Sequence, residues 1–214
     1  MIRFNFHNNR FEFDETSGKL VSFRSGGIEM LADAEALFIL GFRDSLNDEQ
    51  KVLSGELRCQ ITQERDSLHM EFADHPRYSG MRVLYSIRVT EKGMQFRPEV
   101  RNIPGDLTME WIEPLLLSMA DSNGKLFLPQ TEGILLDSPL ENLEYQEPGW
   151  HRYRFYPGYA QMQFMAYFSG NHGLYYAAHD AGHGTKFLDA KANSGKVALM
   201  IRNYCGLFPG QDYV

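Results

Sequence analysis

The chain reads as all-β, and three observations on its 214 residues carry that reading. Apolar and polar residues alternate with period two along most of its length, from IRFNF at 2–6 to KVALMIRNY at 196–204. Turn signals recur about every 8 to 12 residues, the spacing of a sandwich rather than of βαβ units. No stretch sustains apolar residues at helical spacing, and aromatics, which suit pleated surfaces, make up 13% of the chain.

Each element follows from the same reasoning. IRFNF and RFEFD form the first two strands, and GKLVSFRS and GIEML follow around Gly26-Gly27. EMLADAEALF is too short and irregular for a stable helix, and reads as strand, turn and strand. ALFILGFR is more continuously apolar and predicts a buried strand, closed by the polar turn LNDEQK. KVLSGELRCQITQE, SLHMEFAD, MRVLYSIRVT and MQFRPEV then alternate, punctuated by ADHPRYSG, EKG and NIPGD. LTMEWIEPLLLSM reads as one long strand, with Pro114 marking an edge or a bulge. Asn123-Gly124 in DSNGK marks a hairpin turn. Residues 129–160 hold four prolines and three glycines and predict a long excursion with a short strand at GILL. QMQFMAYF, HGLYYAAHD, KFLDAK and KVALMIRNY resume the pattern. The total is about fifteen strands, antiparallel with one wet face, in a single domain spanning 1–214.

Composition narrows the function. Lys and Arg number 21 against 28 Asp and Glu, for a net charge of −7. No basic run offers a phosphate backbone its counterions, so nucleic acid is not an expected partner. No apolar run approaches the roughly 20 residues that span a bilayer, so no membrane partner is expected either. The opening MIRFNFHNNRFEFDETSG lacks the apolar core of a signal peptide, which places the protein in the cytoplasm if Met1 is the native start. Cys59 and Cys205 read as reduced, buried thiols. The ten methionines read as core filling.

The sharpest polar cluster is GLYYAAHDAGHGTK at 173–186, with His179, Asp180, His183 and Lys186. His179 and His183 stand four apart, which on a helix would grip zinc. Here a strand runs into a turn, so the shared helical face is missing and no metal or other cofactor is expected. No G-x-S-x-G elbow is present, and no catalytic residue is assigned. Asp137, Glu141, Glu144 and Glu147 read as a solvated acidic loop rather than a glycosidase pair. PGWHRYRFYPGY combines Trp150, His151, Arg152 and Tyr153 with Tyr156 and Tyr159. Aromatic faces beside planar hydrogen-bonding groups suit a sugar; the same aromatics could instead cap the end of the sandwich. Trp111 reads as core, and Arg97 and Arg101 as partners of nearby acids.

The blocks GKLVSF…GIEML, VRNIPGDLTMEWIEPLLLS, LFLPQTEGILLDSP and YPGYAQMQFMAYFSGNHGLYYAAHDAGHGTK together resemble the galactose mutarotase-like β-supersandwich. Their order resembles the N-terminal domains of bacterial glycoside hydrolase-like proteins of the α-galactosidase and endo-α-N-acetylgalactosaminidase type. The resemblance implies a non-catalytic N-terminal domain whose partners are carbohydrate and a C-terminal catalytic barrel of the same chain. It also implies that His179, Asp180 and Lys186 face the barrel or its sugar. GNHGLYY, with Asn171 and His172, is loosely similar to a mutarotase block, but no glutamate follows Glu147 to act as the base. A free-standing carbohydrate-binding module is the third reading.

Overall fold

In a computed structural model the alternating segments fold into four antiparallel sheets; all residues are described except 121–123, 145–154, 181–183 and 194. The first sheet joins β1 (Ile2–Phe6), β2 (Asn9–Phe13), β3 (Leu20–Ser25) and β4 (Ile28–Glu29) in chain order. A second meander joins β7 (Arg58–Gln63), β8 (Ser67–Ala73), β9 (Arg82–Thr90) and β10 (Gly93–Arg101). The seven-stranded sheet runs β15 (Phe155–Tyr156), β18 (Lys186–Asn193), β19 (Lys196–Leu207), β11 (Leu107–Glu113), β5 (Ile39–Asp44), β6 (Glu49–Leu53). Its seventh strand, β12 (Leu116–Met119), pairs with β19. The fourth sheet runs β14 (Ile134–Asp137), β13 (Lys125–Leu128), β16 (Phe164–Ser169), β17 (His172–Ala177).

The predicted alternation is visible in the burial. Leu68, Met70 and Phe72 of β8 and Val83, Tyr85 and Ile87 of β9 all point inward, while their neighbours face out. Phe38, just before β5, packs edge-on against Phe72 with ring centroids 4.9 Å apart and stacks near Tyr85 at 5.8 Å. These contacts join the seven-stranded sheet to the second sheet. The first sheet is tied in through backbone bonds from Ala32 to Ser118 and from Ala120 to Met30.

Three segments depart from the sequence reading. LTMEWIEPLLLSM is two strands, because Pro114 cannot donate to a ladder. Both halves still pair with the same partner: Ile112 faces Asn203 and Leu116 faces Met200 on the twelve-residue β19. The carbonyls at the break find phenols instead. Tyr85 donates to Pro114, and Tyr176 donates to Leu115 at 2.6 Å. Burial pushes both phenols well above the usual tyrosine range, so they stay protonated donors. The 51–64 segment is also two strands, β6 and β7, split by a 3₁₀ turn at Ser54–Glu56. The excursion carries a short helix, α1 (Pro139–Glu144), which packs against β18. Its proline opens the helix, where a missing N–H is harmless. The Asn123-Gly124 tip lies partly outside the described residues. Among them, no helix is long and apolar enough to cross a membrane.

The ADHPRYSG turn is built around a buried histidine. His75 Nδ1 accepts from the backbone N–H groups of Arg77 and Tyr78, both at 3.2 Å, and its ring stacks on Tyr78. Only a neutral ring can accept there. Burial holds the His75 pKa below the ordinary 6.5, with the Glu56 carboxylate pulling weakly the other way. The folded pKa is the lower one, so this contribution to stability is present above about pH 6.5 and is lost as pH falls through the folded value. Denaturation between pH 7.5 and 5 will therefore show a steeper loss for the native chain than for His75→Asn, whose amide oxygen can accept the same bonds without titrating. Parallel profiles would remove His75 from the acid sensitivity.

Candidate functional site

The GLYYAAHDAGHGTK cluster divides in space. Lys186, the first residue of β18, is 1% exposed. Its Nζ donates to Asp180 Oδ2 at 2.6 Å and to the Gly184 carbonyl at 2.8 Å, and lies 5.6 Å from the centre of the Tyr156 ring. Gly184 N–H donates to the same Asp180 oxygen at 2.9 Å. Lys186 thus ties Asp180 and Gly184 to the start of its own strand. His179 is exposed and lies 6.4 Å, ring to ring, from Tyr175. His183, Trp150, His151, Arg152 and Tyr153 lie outside the described residues. Among the described residues no group of three or more His, Cys, Asp or Glu is arranged to hold a metal.

The pair is asymmetric, since Asp180 is much more exposed than Lys186. Asp180→Ala leaves a buried ammonium with, among the described residues, only the Gly184 carbonyl and the Tyr156 ring, and should destabilise by about 3 kcal/mol. Lys186→Met removes the buried charge and keeps the volume, while the more exposed Asp180 keeps its bond from Gly184 N–H, so the variant should stay within about 1.5 kcal/mol of the native chain. Chemical denaturation of the two variants checks the contrast; equal losses would show that packing, not charge, governs the site.

A second constellation lies on the outer face of the seven-stranded sheet. Cross-strand register places Lys51, Gly41, Trp111 and Tyr204 in one row. The Trp111 indole lies on Gly41 so closely that a Cβ there would sit 1.9 Å from the ring. With one face of the ring on Gly41, the other is covered by Arg202, whose guanidinium carbon is 3.8 Å from the ring centre. Arg202 Nε and Nη2 both donate to Glu113 Oε1, at 2.8 and 2.6 Å. Burial works against the Arg202 charge, but Glu113 outweighs it and raises the guanidinium pKa. Next to Arg202, Phe187 pairs across the strands and packs at a tilt against Phe155, with ring centroids 4.9 Å apart, and Phe155 also lies 5.9 Å from Tyr204.

Glu113 is 3% exposed, and its Oε1 already accepts two charge-assisted bonds. That suits orientation of a ligand through Arg202 better than proton abstraction. Sequence reasoning placed Trp111 in the core; it is buried, but under Arg202 on the outer face. Glu113, Arg202 and Tyr204 were missed because they come from strands nearly ninety residues apart and meet only through register. The available signal was the alternation in MEWIEP and MIRNY, which puts Trp111 and Glu113, and Arg202 and Tyr204, on shared faces.

Comparison with solved structures identifies the architecture. The chain superposes on alpha-N-acetylgalactosaminidase NagBb from Bifidobacterium bifidum in its GalNAc complex with a TM-score of 0.64 and 13% identity, over 95% of this chain and 33% of that one. A quadruple mutant of the same enzyme gives 0.63 over the same shares, again at 13% identity. An Escherichia coli K12 protein that carries the provisional name aldose 1-epimerase gives 0.63 at 10% identity, over 98% of this chain and 94% of that one. The fold is galactose mutarotase-like. At these identities the supersandwich is what is shared, and this supersandwich spans about a third of NagBb's length. No family model matches the chain, and no curated protein matches it. Within the mutarotase-like frame, Glu113 and Arg202 sit on facing strands of the largest sheet, β11 and β19.

Proposed function

We propose that this supersandwich binds carbohydrate on the outer face of its seven-stranded sheet. In this reading it is a non-catalytic N-terminal domain that supports the barrel of a glycoside hydrolase. The observation that carries the reading is the Trp111–Arg202–Glu113 stack. It presents a fixed guanidinium beside Tyr204 and the half-exposed rings of Phe155 and Phe187, while its carboxylate is already engaged. Aromatic faces meet the C–H side of a pyranose, and the guanidinium and phenol meet its hydroxyls. The NagBb likeness supports the choice of sugar to test, because that enzyme was solved with GalNAc.

Titration of the domain with GalNAc and galactose should give saturable binding with Kd on the order of millimolar, as expected for a monosaccharide on a partly exposed site. Tyr204→Ala should weaken it about tenfold, the loss of a stacked or hydrogen-bonded contact worth about 1.4 kcal/mol. Binding unaltered by that change would move the sugar elsewhere. The barrel part of the reading is tested by the reading frame beyond Val214, where alternating strands and helices are expected.

One observation favours a second reading, an aldose epimerase in its own right: the match covers 94% of the Escherichia coli protein. Polarimetry separates the two. The first reading expects no acceleration of α-galactose or α-glucose mutarotation by the purified chain, and saturable acceleration would replace it with the second.

A further inference from the structure

Among the described residues the strand edges of the sheets are not equally protected. Exposed edge strands invite pairing with another chain, and proteins blunt them with charge, proline, brevity or a cover. All but one of the described edges are blunted in these ways, and the outer edge of β12 is covered by the backbone of residues 30–32. β4 and β15 have two residues each. β1 carries Arg3, β6 carries Glu49 and Lys51, and β7 carries Arg58. β10 carries Pro98 and is bridged by Tyr213 at Val100. β14 has four residues and ends in Asp137, ion-paired to Lys125. The remaining edge is β17, HGLYYA, which has six residues, no acid, lysine, arginine or proline, and Tyr175 59% exposed at its middle.

Register shows which backbone groups of β17 face outward. Ala178 N–H donates to Gln163 on the β16 side, so by alternation the even-numbered residues of β17 bond inward. Gly173, Tyr175 and Ala177 then turn their N–H and C=O groups to the free edge. Those three residues are spaced symmetrically about Tyr175. We propose that β17 pairs antiparallel with β17 of a second copy of this chain, with the two-fold axis at Tyr175. Gly173 then faces Ala177 of the other copy, and Tyr175 faces its own equivalent. Three such pairs exchange two bonds each, about six in all.

Outer-face side chains stay on one face in this register, and the two four-stranded sheets become one of eight. Tyr175 already lies 5.0 Å, ring to ring, from Phe164, which stacks on Phe127 at 5.3 Å. A second Tyr175 extends that aromatic line across the axis. Charge points to the same place. Two chains of −7 each repel, and β17 is a segment where close approach sets no like charges against each other. Six residues of edge bury less than the ~800 Å² per partner of a standard interface. The dimer should therefore be concentration-dependent, half-formed on the order of 10–100 μM.

The inference is independent of the sugar reading. Sedimentation velocity from about 1 to 300 μM should show the monomer–dimer transition, and Tyr175→Lys, which opposes two ammonium groups at the axis, should raise the midpoint at least tenfold. Register is read by cysteine crosslinking under mild oxidation. Tyr175→Cys should crosslink, because Cα atoms of such a pair lie about 5.5 Å apart. Gly173→Cys should not, since its equivalents lie four residues, about 13 Å, apart. The native chain, with Cys59 and Cys205 partly buried, is the control and should stay uncrosslinked. A monomer throughout the range, a dimer indifferent to Tyr175→Lys, or crosslinking through residue 173 rather than 175 would each overturn the proposal. Circular dichroism on every variant separates failed pairing from failed folding.

Discussion

Gly41→Ala will destabilise the protein by about 3 kcal/mol, at the upper end of ordinary overpacking. The reason is local and severe. The new methyl would sit 1.9 Å from one Trp111 ring atom and 2.4 Å from two others. Trp111 cannot swing aside, because Arg202 covers its other face and the ring is 3% exposed. The indole must lift, and the Arg202 stack and its bonds to Glu113 go with it. In a chain of this length the melting temperature should fall by about 6 °C or more. Thermal denaturation checks the size. The mechanism is checked by Gly41→Ala combined with Trp111→Ala, which should be less damaging than the sum of the two alone. Simple additivity would mean that the clash is relieved elsewhere.

Arg202→Ala should be similarly costly, about 3 kcal/mol, by a different route. Glu113 is almost wholly buried, and Arg202 supplies both of its charge-assisted bonds. Removing the guanidinium leaves a carboxylate shut away from water with its counter-charge gone. Arg202 is itself partly exposed, so water can enter, which sets the expected value at the low end for a broken buried pair. Arg202→Met with Glu113→Leu should recover most of the loss, since it removes both charges and keeps the apolar contact with Trp111. Urea denaturation of the two variants decides the matter. If the double variant is as unstable as the single one, the pair acts through shape rather than charge. Sugar binding should vanish in both, because the proposed site needs the guanidinium and not merely a stable sheet.

β8 and β9 could be read directly, because strict alternation of Leu68, Met70, Phe72 and of Val83, Tyr85, Ile87 follows from one face being dry. The break at Pro114 was half legible. A missing N–H signals interruption, but that both halves return to one strand depends on the length of β19, and on Tyr85 and Tyr176 taking the orphaned carbonyls. The helix at Pro139–Glu144 was not legible as one, since six residues are too few for a periodic signal. Lys186 was singled out for its chemistry, and its burial against Asp180 could not be read from a spacing of six residues in a turn.

By itself, then, the sequence determined the class, the strand rhythm and the placing of Trp111 and Glu113, and of Arg202 and Tyr204, on common faces. Those are properties of neighbours along a chain, where a side chain's direction follows from counting by two. Only the tertiary structure decided that β11 lies beside β19, that Gly41 makes room for an indole, and that β17 stands at an edge. Pairing between distant strands depends on how whole sheets bury their apolar faces together. That is a collective free energy, and no local stretch of residues contains it.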